Sequence, residues 1–196
     1  MNHLKVVFAP GVVPGKWLGR FDERITGWQA AAAQSDDPLA HVLAGRADIA
    51  LLRLPGGWEG MDDHRIDDAA MQRQGLHRVV LYDEQAGVVA PREHALEAVG
   101  ENEMVRPADI EDEMLLYRGV DPAAVRENLE VVAANVGIVV APRPLLRSVN
   151  RRGVIHRNLD GAGVSSIALV WRIDRDDEVI QQFVGICRGR RPSSSR

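Results

Sequence analysis

SDDPLAHVLAGRADIALLRL, Ser35 to Leu54, is the stretch that decides the fold class. An aspartate near its start can accept from the free amides of a helix's first turn, and Pro38 occupies a position that needs no backbone donor. Leu39, Val42 and Leu43 recur on one helical face, and Gly45 is the residue type that commonly ends a helix in the left-handed conformation. From Asp48 to Leu54 the residues are almost continuously apolar, the pattern of a strand covered on both faces. A short capped helix that delivers its chain into a doubly buried strand predicts an α/β protein and excludes a helical bundle.

Upstream, Leu4 to Ala9 is a β-branched run stopped by Pro10-Gly11, which predicts a buried strand entering a turn. Pro14 then opens a helix whose Trp17, Leu18, Phe21 and Ile25 keep near-helical spacing, and Trp28 to Gln34 reads as a second strand in spite of its four consecutive alanines. Downstream, Pro55 to Gly60 reads as a loop that the acidic stretch Asp62 to Asp68 continues, followed by a short helix over Ala69 to Gln74. Strands at His77 to Tyr82 and Gly87 to Ala90 flank the polar Asp83-Glu84-Gln85, which reads as a hinge. Pro107 opens a short acidic helix through Glu111, and Met114 to Tyr117 can form a further strand.

The helix-then-strand logic is then reused. Asp121 caps, Pro122 starts, Val125, Leu129, Val132 and Val136 form the stripe, and Gly137 to Pro142 is the buried strand that follows. Ser166 to Trp171 is the last strand. Asp176 or Asp177 begins a final amphipathic helix carrying Val179, Ile180, Phe183, Val184 and Cys187, and from Arg188 the chain reads as a disordered tail. No internal repeat at a fixed period is present.

Composition narrows the function classes. Of 196 residues, 24 are Lys or Arg and 28 Asp or Glu, a net charge of −4 that offers no global positive field for holding nucleic acid. The single cysteine, Cys187, excludes an internal disulfide and any multi-cysteine metal site built from this chain alone, and fits a reducing, cytoplasmic setting. The apolar run Val6 to Ala9 is shorter than the roughly 7 to 15 apolar residues of a secretory signal, and no stretch approaches a membrane span. The histidines at 3, 41, 64, 77, 94 and 156 show no ligand spacing, so no metal is expected. No Gly-x-Ser-x-Gly elbow and no phosphate-binding Gly-Lys-Ser/Thr loop occurs. Neither a catalytic constellation nor a cofactor is predicted.

The order of elements, together with Leu43-Ala44-Gly45-Arg46-Ala47-Asp48-Ile49-Ala50, Gly75-Leu76, Val88-Val89-Ala90-Pro91, His94-Ala95-Leu96, Asp109-Ile110, Val131 to Ala134 leading into Gly137-Ile138, and Phe183-Val184, resembles the effector-binding domain of LysR-type transcriptional regulators. The resemblance implies two Rossmann-like α/β lobes joined by crossover strands, a type 2 periplasmic-binding-protein-like fold. Residues 1–83 would begin one lobe, 84–165 would form the other, and 166–187 would return to the first, with 188–196 as tail. The Gly161-Ala162-Gly163 segment would be the second crossing. The family's DNA-reading helix-turn-helix has no counterpart before Leu4. The hydroxyl residues that many members place after the first strand are replaced here by Gly11-Val12-Val13-Pro14, which favours a less polar ligand than a carboxylate, or none.

In such folds a ligand sits at strand ends, where turns present backbone amides. The expected effector contacts are Gly11, Val12 and Val13 at the first turn, Ser35 and Asp36 at the second, and Arg53 and Arg118 at two strand exits. The two arginines can donate to an effector carboxylate or form internal salt bridges, and the sequence leaves both readings open. The expected function is that of a small-molecule effector-sensing domain, non-enzymatic and homodimeric. The dimer would set Pro14 to Ile25 and Trp28 to Gln34 against Pro122 to Asn135, and DNA would be reached only through a helix-turn-helix this chain lacks. The alternatives are a stand-alone ligand-binding or heterodimerising module, and an enzyme on a related two-lobed fold.

Overall fold

A computed structural model describes residues 1–56 and 68–189. The loop and acidic stretch read at Pro55 to Asp68 fall largely outside the described residues, as does the tail beyond 189. The described chain divides into two compact units, one holding residues 1–52, 68–82 and 167–189, the other 53–56 and 83–166.

In the first unit β1 (Asn2–Phe8) is paired in parallel with both β2 (Trp28–Gln34) and β3 (Ile49–Leu54). With β4 (Leu76–Glu84) and β10 (Ser165–Arg172) they make a sheet of order β2-β1-β3-β10-β4. Helix α1 (Gly15–Arg24) connects β1 to β2, and α2 (Pro38–Leu43) connects β2 to β3. Pro38 stands in the first turn of α2 and Asp37 caps it by accepting from the Ala40 amide at 3.1 Å. The strand Ile49–Leu54 is buried on both faces, as its unbroken apolar pattern predicts.

Alternation along the strands sorts the core into two layers. Leu4, Val6, Ile49 and Leu51 pack with Phe21 of α1 and with Ile180 and Phe183 of α6 (Glu178–Cys187), and the rings of Phe21 and Phe183 meet edge to face at 5.7 Å. Each such fully buried side chain contributes about 1.5–3 kcal/mol through the water it sheds. Val7, Ala50 and Leu52 point to the other face, where α2 buries Leu39 and Val42. Helix α3 (Asp68–Arg73) completes this unit's described helices, and Asp177 caps α6 through the Ile180 amide.

The second unit has its own sheet, order β6-β9-β5-β8-β7, from β5 (Ala86–Pro91), β6 (Met104–Val105), β7 (Leu115–Arg118), β8 (Ile138–Pro142) and β9 (Val154–Leu159). The central β5 runs antiparallel to both neighbours, β8 and β9. One face is sealed by α4 (Pro122–Ala133) and α5 (Arg143–Ser148), whose Val125, Leu129, Val132, Leu145 and Leu146 pack on Val89, Val139 and Ala141. The other face, carrying Val88, Ala90, Ile138, Val140 and Leu159, is covered by two 3-10 turns, Ala95–Ala98 and Pro107–Ile110.

Several elements depart from the sequence reading. The break at Asp83-Glu84-Gln85 shrinks to Gln85, because β4 runs on through Glu84 and β5 begins at Ala86. β9 is an unpredicted strand. Its Ile155 and Leu159 keep the two-residue period of a strand, but Arg157 interrupts the apolar face. That arginine is accommodated by donating to the carbonyls of Val99 at 2.5 Å, His156 at 2.8 Å and Glu97 at 3.0 Å. The short strand β6 and the one-and-a-half-turn α5 were likewise not predicted, since neither is long enough to show a period.

Candidate functional site

The sequence-named residues of the first unit gather at one end of its sheet. β1 and β2 end in register at Phe8 and Gln34, and the Ser35 amide donates to the Phe8 carbonyl at 3.0 Å, which brings the Gly11–Val13 turn and the Ser35–Asp36 turn to the same sheet end. Gly11 takes φ 87°, a conformation that its missing Cβ permits. Val12 donates its amide to the Ala9 carbonyl at 3.1 Å and buries its side chain in the core with Phe21 and Ile49, so it is a packing group. Val13, in the same turn, is 83% exposed. The Ser35 hydroxyl accepts from the Asp37 amide at 3.2 Å and so helps fix the turn that starts α2.

Arg53 and Arg118 belong to the second unit and are used differently. Arg53 Nε donates to Glu84 Oε2 at 2.5 Å and Nη2 to Oε1 at 3.0 Å, with side-chain exposures of 3% and 1%. The Ser165 hydroxyl adds a 3.0 Å bond to Glu84 Oε2. This buried, two-pronged pair holds the ends of β3, β4 and β10 together, the salt-bridge alternative of the two readings. Glu84 is legible in the sequence only as part of the polar Asp83-Glu84-Gln85 break, and Ser165 carries no signal of its own.

Arg118 stands at the exit of β7, exposed, with Nη2 donating to the Ala162 carbonyl at 3.0 Å. It lies on the rim of a pocket of about 240 Å³ on the turn-covered face of the second unit. Ile138, Val140 and Leu159 line it from the sheet, Pro107, Ile110 and Leu115 flank it, and Glu111 and Glu113 share the rim with Arg118. Glu113 is paired with His94 Nε2 at 2.9 Å, while His94 Nδ1 accepts from the Leu96 amide. The sequence reads as a short acidic helix here and gives no sign of a pocket, because the cavity exists only once β8 and β9 are brought under the Pro107–Ile110 turn.

A second polar cluster lies on the opposite face, at the junction of α5 and β9. His156 Nε2 and Asn150 Oδ1 are 2.7 Å apart, and Arg143 and Asn158 both donate to the Glu101 carbonyl. Burial first, then the charges of Arg147, Arg143 and Arg157, pushes the His156 imidazole below its ordinary value. The unpartnered Arg143 Nε, His156 Nδ1 and Asn158 Oδ1 are sealed from solvent, so the cluster presents no opening to a ligand.

Reactive groups are scarce. Burial pushes the Cys187 thiol up to about 12, which leaves it protonated and inert near neutral pH. Among the described residues no group of three or more His, Cys, Asp or Glu side chains could hold a metal ion, and no helix is long and apolar enough to cross a membrane.

The sequence matches the family described as the LysR substrate binding domain over residues 4–130. No curated protein matches it. Among solved structures, the BenM effector-binding domain with its effector benzoate is similar at a TM-score of 0.67 and 15% identity, covering 96% of this chain and 91% of that one. An OxyR regulatory-domain cysteine variant from Pseudomonas aeruginosa is similar at 0.62 and 16%, covering 96% and 97%. The oxidized form of Corynebacterium glutamicum OxyR gives 0.63 and 19%, covering 96% of this chain, which spans only 64% of that longer protein. At these identities the likeness is one of fold. The sequence match extends over well more than half of the residues, and on that ground the chain belongs to the LysR substrate-binding-domain family.

Proposed function

We propose that this chain is the effector-sensing part of a LysR-type transcriptional regulator, binding a small organic molecule and passing that event to a DNA-binding element carried elsewhere. Family membership over residues 4–130 carries the reading. The pocket of about 240 Å³ beside Arg118 gives room for a small organic molecule. Ligand binding would act by favouring one arrangement of the molecule over another, to the extent of its differential affinity for the two.

Gly11, Val13, Ser35 and Asp36 in the first unit and Arg118 in the second remain candidate ligand contacts, each within its own unit, while Val12 is buried in the core and Arg53 is paired with Glu84. We assign the working unit as a homodimer in a reducing compartment, with α1 and β2 of one copy facing α4 of another. The exposed edge strand β2 is left without a strand neighbour on its outer side, consistent with that use.

The experiment is a thermal-shift screen of the purified chain against small organic molecules, followed by mass analysis of each hit, with sedimentation in parallel. The expected result is a compound that raises Tm and is recovered unchanged from a dimeric species. Recovery of a chemically altered compound would replace sensing by catalysis, and a monomer at micromolar concentration would remove the dimer.

A further inference from the structure

The two units solve the same problem unequally. In the first, the chain passes β1-α1-β2-α2-β3, so a helix lies over each face and an extra strand flanks β1. In the second, it passes β7-α4-β8 directly, leaving β7 as the sheet edge and a 3-10 turn where the first unit has a helix. Met114 and Leu115 at that edge are 64% and 50% exposed, and the pocket opens over Ile138, Val140 and Leu159. The cavity lies on the turn-covered face beside that edge.

The rim sets the ligand's charge. Glu111 and Glu113 contribute two carboxylates against the one guanidinium of Arg118, which already donates to the Ala162 carbonyl. Glu113 is engaged with His94, whereas Glu111 makes no ion pair among the described residues. An anion entering this pocket would meet a net negative rim, and an ammonium would meet a free carboxylate above an apolar floor. At 240 Å³ the space suits a body of about a dozen non-hydrogen atoms.

We propose that the Ile138–Val140–Leu159 pocket binds a compact apolar primary amine, its ammonium on Glu111 and its hydrocarbon body on the floor. The source can be a free amine or an apolar amino acid, whose carboxylate would reach Arg118. The inference rests on the effector-sensing reading and names the ligand class of that function.

Three probes of one skeleton test it on the full chain: 2-phenylethylamine, phenylalanine and 3-phenylpropionate, each titrated by calorimetry and by methyl NMR. The amine is expected to bind, to shift the methyl resonances of Ile110, Ile138, Val140 and Leu159, and to lose affinity fivefold or more in Glu111→Gln, an exposed substitution that leaves the fold intact. Phenylalanine binding more tightly than the amine, with the gain lost in Arg118→Gln, identifies the amino-acid source. The phenylpropionate binding as tightly as the amine overturns the ligand class. Shifts confined to Val12 and Val13 overturn this pocket while leaving effector sensing standing, and no shift with any probe at millimolar concentration overturns the proposal outright.

Discussion

Arg53 shows how one side chain changes meaning with its surroundings. In sequence it is a cation at a strand exit. In the structure it is a buried ion whose charge is neutralised by Glu84 at 2.5 and 3.0 Å. Removing one member strands the other without water, so Arg53→Met should destabilise the protein by about 3–5 kcal/mol. The double variant Arg53→Met with Glu84→Leu should lose less than Arg53→Met alone. Urea denaturation of the two variants checks this, and equal losses would show that the pair is not the reason for the cost. His156 makes the second residue-scale case. Its folded value lies below its ordinary 6.5, so the unfolded chain takes up a proton first as pH falls. Stability is therefore fully present above 6.5 and is lost as pH drops from there toward the folded value. His156→Gln removes the titration while leaving an amide donor toward Asn150, and should flatten the stability loss between pH 7 and pH 5. Burial is the main cause of the shift, and the charges of Arg147 and Arg143 on α5 and of the adjacent Arg157 add to it.

At the scale of elements, capping and glycine placement were legible because they act through local geometry. Asp37-Pro38, Asp121-Pro122 and Asp177 each start a helix where expected. Glycines separate into two kinds. Gly19 lies exposed in the middle of α1 with open space around its missing Cβ, so Gly19→Ala should stabilise by up to about 1 kcal/mol. Gly137, entering β8 at φ +57°, would place a Cβ 2.3 Å from the Met114 carbonyl oxygen and 2.9 Å from Leu116 Cγ. Gly137→Ala should cost more than about 1 kcal/mol and loosen the pairing of β7 with β8. Thermal melts of both variants give opposite signs if this account holds, and hydrogen exchange at Leu115–Arg118 reports the loosened edge.

For the whole molecule, charge gives the clearest expectation. With 24 basic against 28 acidic residues, the chain as it stands should show no association with duplex DNA that survives moderate salt. A mobility-shift assay across a salt series decides it, and sequence-selective retention at the upper end would contradict the assignment of DNA reading to another element. The same scale is where the Arg53–Glu84–Ser165 network acquires its place. Residues 53, 84 and 165 stand within two positions of where the chain passes between its units.

The sequence by itself determined the fold class, the helix starts, the doubly buried strand Ile49–Leu54 and the family, because these rest on periods, caps and order along the chain. It also bounded the chemistry, since one cysteine and scattered histidines limit what any fold can assemble. Only the tertiary structure decided the rest. β9 is a strand because β5 pairs with it, with its Arg157 accepted by distant carbonyls at Glu97 and Val99, and Val12 is core because it joins the cluster that holds Phe21 and Ile49. Arg53 is committed to a residue 31 positions away, while Arg118 is left at a pocket whose floor comes from two later strands of the chain, β8 and β9. Local pattern records the conformation a segment prefers. Which polar group meets which partner, and where a cavity opens, depends on contacts between residues far apart in the chain, which no local period encodes.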